Sequence, residues 1–516
     1  MLRLLSGVIV STVLATSTAS AVADEAFGFD QVAEKARELA GQRWQAPPSV
    51  PDFMRELEYS RYQEIRFRDD RNLWRDTDSR FQVMLTPAGK YFTHAVALNE
   101  IRDGEVEPIR FARDLFTYPN EEFAKRVPPD LGFAGFRLTY PLRGPDINNQ
   151  FLSFAGASYF RGVGRNDGFG LSARGIAIDT GQPNGEEFPS FIEFWLEQPD
   201  GDDDQVVVYG LLNGPSLTGA YQFTIRPGDT LDMDVHARLF FRHKVGLPGY
   251  APLTSMFYYG ENTLRPLGEW RPQTHDSDGL LVTDGENGEW LWRPLINPTA
   301  LRISYLRTNN PRGFGLMQRN RDFRDFQDLE ARYELRPSAW VEPEGDWGPG
   351  NVVLVEIPTR SEVNDNIVAF WSPENAPEGG TSVDLEYRMR FGPAGPGLTG
   401  HPSGYAVNTF IGDGNRIGGG DQEGSYRILV DFEGGVLGET DPGADVVSMV
   451  SANEQTEVLE HFVEYSEPTK QWRLSILVRP SGNETMALRA FLSLDDEPLT
   501  ETWTYELPPG VDIRAK

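Results

Sequence analysis

The chain has 516 residues, no cysteine, and 48 basic against 77 acidic residues, a formal net charge of −29. That length allows a large buried core and two or more structural units, although all-β units often run large. The missing cysteines exclude disulfides and thiolate metal sites, and the negative charge makes nucleic acid and anionic lipid poor partners.

The first residues carry one positive charge, Arg3, then an apolar stretch through Ala15, then the small residues Ala19-Ser20-Ala21 and Ala21-Val22-Ala23. This is the three-part layout of a secretory signal peptide and is too short for a stable membrane span. Residues 1–23 are therefore expected to be removed, with the mature chain starting near Asp24. No twin-arginine pair is evident, and no second long apolar run follows, which argues for an exported soluble product.

A helix is expected from Asp30 to Gly41, with Asp30 as its cap and Gly41 as its stop. After it the pattern turns to β. Leu231, Met233, Val235, Ala237 and Leu239 alternate with Asp232, Asp234, His236, Arg238 and Phe240, the period of a half-buried strand. Similar runs occur at 205–212, 220–226, 352–357, 381–391, 426–432, 472–478 and 486–494, separated by Gly and Pro clusters. Many short strands with turn residues between them predict an all-β protein built of sandwiches or barrels. The run 392–404 is dominated by Gly and Pro and cannot continue a central strand. It divides the chain into an N-terminal unit, 24–391, and a C-terminal unit, 405–516, of the size of an immunoglobulin-like sandwich.

Six of the eleven tryptophans, Trp270, Trp290, Trp292, Trp340, Trp347 and Trp371, fall in one window of about a hundred residues with interleaved acids. Aromatic faces stack on sugar C–H faces, but they also fill β-sandwich cores, which is the commoner role. Glycoside cleavage needs one carboxyl to protonate the leaving oxygen and another to attack or to activate water. Asp365, in Asn364-Asp365-Asn366, and Asp276, in His275-Asp276-Ser277, are the two candidates. By motif alone each reads equally as turn chemistry. The six histidines are scattered without the spacing of a metal site, and neither a dinucleotide-binding loop nor a nucleophile elbow is present. No metal or cofactor is expected.

Nine segments carry a resemblance: 131–137 (LGFAGFR), 156–161 (GASYFR), 170–179 (GLSARGIAID), 185–189 (GEEFP), 251–257 (APLTSMF), 288–294 (GEWLWRP), 335–340 (LRPSAW), 364–369 (NDNIVA) and 501–507 (ETWTYEL). They span nearly the whole mature chain. In them the sequence resembles the periplasmic glucan biosynthesis proteins of the MdoG/OpgG and OpgD type, closer to the G type for want of a twin-arginine signal. The resemblance implies a large N-terminal β-sandwich with a carbohydrate cleft and a small immunoglobulin-like C-terminal sandwich. It implies action on β-1,2-glucan backbones in the periplasm, as an inverting endo-glucanase or an inverting, ring-closing transglycosylase. It also implies Asp365 as general acid, Asp276 as the carboxylate that activates the acceptor, and Tyr333 in the proton path. Tyr159, Arg174, His275, Trp292, Arg293 and Trp340 are the residues expected to hold the glucan. Asp365 should be kept protonated by an apolar surround including Trp371, while Asp276 stays ionised next to solvent. A membrane glucan synthase nearby and a homodimer are family-level expectations. The competing expectation is a non-catalytic glucan-binding scaffold.

Overall fold

Along Leu231–Phe241 every second side chain is buried and the intervening ones are half-exposed, the arrangement a strand with one wet face requires. Runs of ten paired residues join this strand to Leu217–Arg226 on one side and Ser382–Gly392 on the other. The same logic repeats through the computed structural model, which describes residues 27–415, 422–482 and 484–508. The expected signal peptide, 1–23, lies outside the described residues.

Two large sheets result. One runs, in spatial order, from Gln82–Pro87 through Phe133–Tyr140, Asn149–Ala155, Tyr159–Gly162, Ser172–Arg174, Pro248–Ser255, Ile367–Pro373 and Gly350–Glu356 to Arg302–Thr308. The other has Leu231–Phe241 and its neighbours at its centre. Their inner faces share the main core: Phe136 and Phe154 of the first sheet meet Phe194 and Phe223 of the second, with ring centroids 5.2 and 5.1 Å apart. Such edge-to-face aromatic packing between two sheets is how a sandwich core is filled. The protein is all-β, as the sequence predicts. Among the described residues, no helix is long and apolar enough to cross a membrane.

The first helix, Phe29–Ala40, lies where the sequence places it, but Gly28 and not Asp30 occupies its N-terminal cap. The Gly28 N–H donates to Gln31 Oε1 at 2.9 Å, and Asp30 falls inside the first turn, where a negative charge complements the helix dipole. Val32, Ala33 and Ala36 bury that helix against Trp195 and Tyr209.

The Gly/Pro run 392–404 contains the end of Ser382–Gly392 and a short helix, Pro396–Thr399, closed by Gly400 at φ 73°. Beyond it, a four-stranded sheet begins at Tyr405–Asp413. The last strand, Thr502–Leu507, returns to pair parallel with Trp290–Pro294 of the second large sheet. A second core forms there, with Trp292 and Trp340 packed among Ile428, Leu474, Ile476 and Trp503. A buried ion pair holds the junction. Arg319 donates to Glu501 at 2.6 and 3.0 Å and to the Ala406 carbonyl at 2.6 Å, while Glu501 accepts the Ala406 N–H at 2.9 Å. The Arg319 guanidinium also lies 3.7 Å from the Trp292 ring centroid.

Removing one partner of a buried, hydrogen-bonded pair leaves an uncompensated charge and costs about 3–5 kcal/mol. Glu501→Ala is therefore expected to destabilise the protein by about that amount in urea unfolding. A loss below about 1 kcal/mol, the scale of an exposed pair, would show that the junction does not depend on it.

Candidate active site

Asp365 lies near the end of the loop that leaves Gly350–Glu356, two residues before the buried start of Ile367–Pro373. Its neighbour Asn366, 1 % exposed, anchors that loop. The Asn366 side-chain amide donates to the carbonyls of Phe257 and Ile357, both at 3.0 Å, and its oxygen accepts the Phe257 N–H at 2.8 Å. Phe257 opens the strand Phe257–Tyr259, whose antiparallel partner is Thr274–His275, with Phe257 opposite His275. Asp276 follows directly, its N–H donating to the Met256 carbonyl at 2.8 Å. One buried amide thus ties the segment carrying Asp365 to the segment carrying Asp276.

About a third of the Asp365 side chain is exposed, yet the protein packed around it raises its carboxyl above the ordinary range, burial outweighing the opposing charges of Arg161 and Arg174. Arg161 Nη2 lies 3.6 Å from Asp365 Oδ2. Trp371, expected to supply the apolar surround, does not: it is 1 % exposed, stacked on Tyr250 in the main core. Six residues of extended chain, at about 3.3 Å per residue, carry it away from Asp365. Asp276 also departs from expectation. It is buried rather than solvent-facing, and burial is the largest cause of its raised pKa, with the charges of Asp365 and Glu362 adding and those of Arg336 and Arg161 opposing. Arg336 Nε stands 3.4 Å from Asp276 Oδ1, too long for a good hydrogen bond, so the attraction is mainly coulombic.

Tyr333 is buried in a short 3-10 turn that follows Arg332, a non-glycine residue at φ 47°. Its hydroxyl donates to Glu362 Oε2 at 3.2 Å, and Arg271 Nη1 reaches the same oxygen at 2.5 Å. Burial raises the Tyr333 pKa, and the charges of Glu362 and Asp276 raise it further, so the hydroxyl keeps its proton and lies close to both acids. Glu362 was not singled out by the sequence. Its signal, an acid in the same loop as Asp365, is one any solvated turn also shows.

His275 is wholly enclosed, with Gln318 Oε1 2.9 Å from Nδ1 and Gln273 Oε1 2.8 Å from Nε2. Burial lowers its pKa to about 4. The Gln318 amide also donates to the carbonyls of His275 and Tyr333, at 3.0 and 3.1 Å. His275 therefore braces the Tyr333 turn from behind and presents no face to a ligand.

Beside Asp365 opens a cleft of about 1350 Å³ lined by Tyr159, Arg161, Gln150, Tyr91 and Arg66 among others. Tyr159 lies at its wall, with the Arg174 guanidinium 4.8 Å from its ring centroid. Arg174 itself is buried, held by Glu186 at 2.5 Å and Thr254 at 2.8 Å. The structure thus brings Asp365, Asp276, Tyr333, Tyr159 and Arg174 to one region. It does not bring Trp292, Arg293 or Trp340 there. Trp292 and Trp340 are 4 % and 1 % exposed in the second core. Arg293 is buried in ion pairs with Glu506 at 2.9 Å and Glu356 at 3.7 Å. Their aromatic and cationic character serves packing and the attachment of the last strand. Away from the cleft, His236, Asp384 and Glu386 come together on an outer sheet face, but Arg238 also pairs with Asp384 there, which already neutralises that carboxylate.

An all-β protein with two interacting, burial-shifted carboxyls, one of them on the wall of a wide cleft, is the class these observations define. The profile of the family described as "Periplasmic glucan biosynthesis protein, MdoG" matches residues 27–507, and the chain belongs to that family. It is 44% identical over 490 residues to the Glucans biosynthesis protein G of Dickeya dadantii, covering 94% of this chain and 93% of that one. It is 45% identical over 492 residues to the protein of the same name from Pseudomonas aeruginosa, with the same coverage. Among solved structures, a polysaccharide lyase aligns at TM-score 0.24 and 9% identity, over 74% of this chain and 44% of that one, a likeness too low to bear on the fold or the chemistry.

A carboxyl whose folded pKa is raised binds its proton more tightly in the folded state, so its contribution to stability is full below the unfolded value, 3.8, and is lost as pH rises through the folded value. Asp365→Asn is accordingly expected to raise Tm above that of the unsubstituted protein at pH 7, with the gain shrinking as pH falls through the folded value and vanishing below the unfolded value of 3.8. A constant difference across that range would contradict the raised pKa. Asn366→Asp would set a carboxylate oxygen against two buried carbonyls and is expected to cost on the order of 3 kcal/mol, measured by urea unfolding. A neutral outcome would show that the amide is not the anchor.

Proposed function

We propose that the protein is a periplasmic enzyme of glucan biosynthesis that acts on β-1,2-linked glucan with inversion at the anomeric carbon. The observation that carries the reading is the pair Asp365 and Asp276, both shifted upward by burial and electrostatically coupled, with Asp365 on the wall of a large cleft. Family membership supports the glucan and the compartment.

Two carboxyls that sense each other in a poorly solvated site do not ionise independently, and their environments decide which holds the proton. Asp365, at the cleft wall, is the acid. It gives its proton to the glycosidic oxygen as the bond from that oxygen to the anomeric carbon breaks. An acceptor hydroxyl attacks the same carbon from the opposite face, and its proton passes toward Asp276, whose ionised form Arg336 and Arg161 favour. Tyr333, protonated and within the influence of Asp276, can hand its own proton on and take up the acceptor's in a relay. Whether water or a sugar hydroxyl is the acceptor separates hydrolysis from ring closure.

Loss of a general acid or base typically costs about 10²–10⁴ in rate. Asp365→Asn and Asp276→Asn are each expected to lose turnover of linear β-1,2-glucan on that scale, with Tyr333→Phe also impaired, read from product mass and linkage. Wild-type turnover in both aspartate variants would overturn the assignment. Binding of the glucan with no shortened or cyclised product from the unsubstituted protein would favour a scaffold.

A further inference from the structure

Thr359 and Arg360, of the loop that carries Glu362 and Asp365, help line a separate pocket of about 480 Å³, within the size range of small-molecule sites. Its walls are largely apolar: Leu264, Pro266, Ile296, Pro298 and Leu507 face it, and Leu264 is 49% exposed.

The polar side chains around it are mostly already spent on the protein. Asn262 donates to the Leu295 carbonyl at 2.8 Å, and the Tyr505 hydroxyl donates to the Asn262 carbonyl at 3.1 Å. Asn297 donates to the carbonyls of Tyr258 and Thr359 and accepts the Thr359 N–H, all at 2.9–3.0 Å. Thr263 and Thr359 close local turns through their own hydroxyls. Arg360 is the single charged lining residue, and among the described residues no ion pair or hydrogen bond engages it. A hydroxyl-rich sugar would find few free partners in such a pocket. A ligand with an apolar body and one anionic head would bury the body on the aliphatic wall and set the head on the guanidinium.

We propose that this pocket is a binding site for a soluble, monomeric anionic amphiphile, distinct from the cleft and independent of the catalytic reading above. The protein's net charge of −29 disfavours an anionic membrane surface as the source, since long-range repulsion would oppose approach. Asn297 joins the pocket wall to the Asp365 loop at Thr359 and to the strand of Tyr258, so occupancy should slow opening of that loop.

The test is calorimetric titration of the full chain with n-octyl phosphate, n-octyl glucoside and inorganic phosphate, with hydrogen exchange over 357–366 as a second readout. The expected result is saturable one-to-one binding of octyl phosphate, weakened by about tenfold or more in Arg360→Ala and in Leu264→Asp, with the other two probes at least about tenfold weaker and exchange slowed on binding. The proposal is overturned by no saturable binding, by octyl glucoside binding equally well, by unchanged affinity in both variants when each keeps the parent Tm, or by unaltered exchange. Binding to phosphatidylglycerol vesicles that Arg360→Ala abolishes would overturn the assignment to a monomeric ligand.

Discussion

The side-chain amide of Asn366 is the constraint on which the arrangement of the site depends. Its three hydrogen bonds tie the end of the Asp365 loop to Ile357 at its start and to both backbone groups of Phe257, and through the Phe257–His275 pairing they set where Asp276 begins. A buried amide with its donors and acceptor satisfied fixes geometry because every alternative leaves carbonyls unpaired in a dry interior. The two carboxyls come from segments some ninety residues apart in sequence, yet one side chain puts them in a common frame.

Around that frame the electrostatics are built from distant positions. Arg161 projects from Tyr159–Gly162, an interior strand of the first large sheet, Arg336 follows the Tyr333 turn, and Arg271 gathers Glu269, Asp328 and Glu362 at 3.0, 3.3 and 2.5 Å. Cations held this way do not cancel the burial of Asp276 and Asp365, since both remain shifted upward. The result is a site in which protons are costly to lose and each charge alters its neighbour. Tyr333 stands among these groups with its proton held, and the neutral His275 and Gln318 brace its turn from the interior.

The C-terminal region buttresses the second large sheet. The parallel return of Thr502–Leu507 onto Trp290–Pro294 and the pairing of Arg319 with Glu501 make the second core continuous with the second large sheet. That is where much of the aromatic window went. Trp292, Trp340 and Trp371, which composition marks as a possible sugar platform, are among the least exposed side chains of the molecule, because large flat rings are the cheapest way to fill the gap between two twisted sheets.

Strand positions were legible in the sequence because period-two alternation is local: the expected runs at 220–226, 381–391 and 486–494 fall within Leu217–Arg226, nearly on Ser382–Gly392 and on Met486–Leu494. The all-β class followed from their number and spacing. The first helix was legible too, though its cap was not, since Gly28 and Asp30 lie within two residues of each other and only backbone geometry separates them. Asp365 and Asp276 were visible as acids, but their own residues matched turns equally well, and it was similarity along the whole chain that set them apart. What the sequence by itself determined is the β architecture, the acidic character and the family, all properties of short-range pattern or of the chain as a whole. Only the tertiary structure decided that Asp276 is buried, that Glu362 meets Tyr333, that Arg161 and Arg336 face the acids, and that Trp292, Trp340 and Trp371 lie inside while Trp270 stays exposed. Those facts depend on contacts between residues far apart in the chain, which no local period encodes.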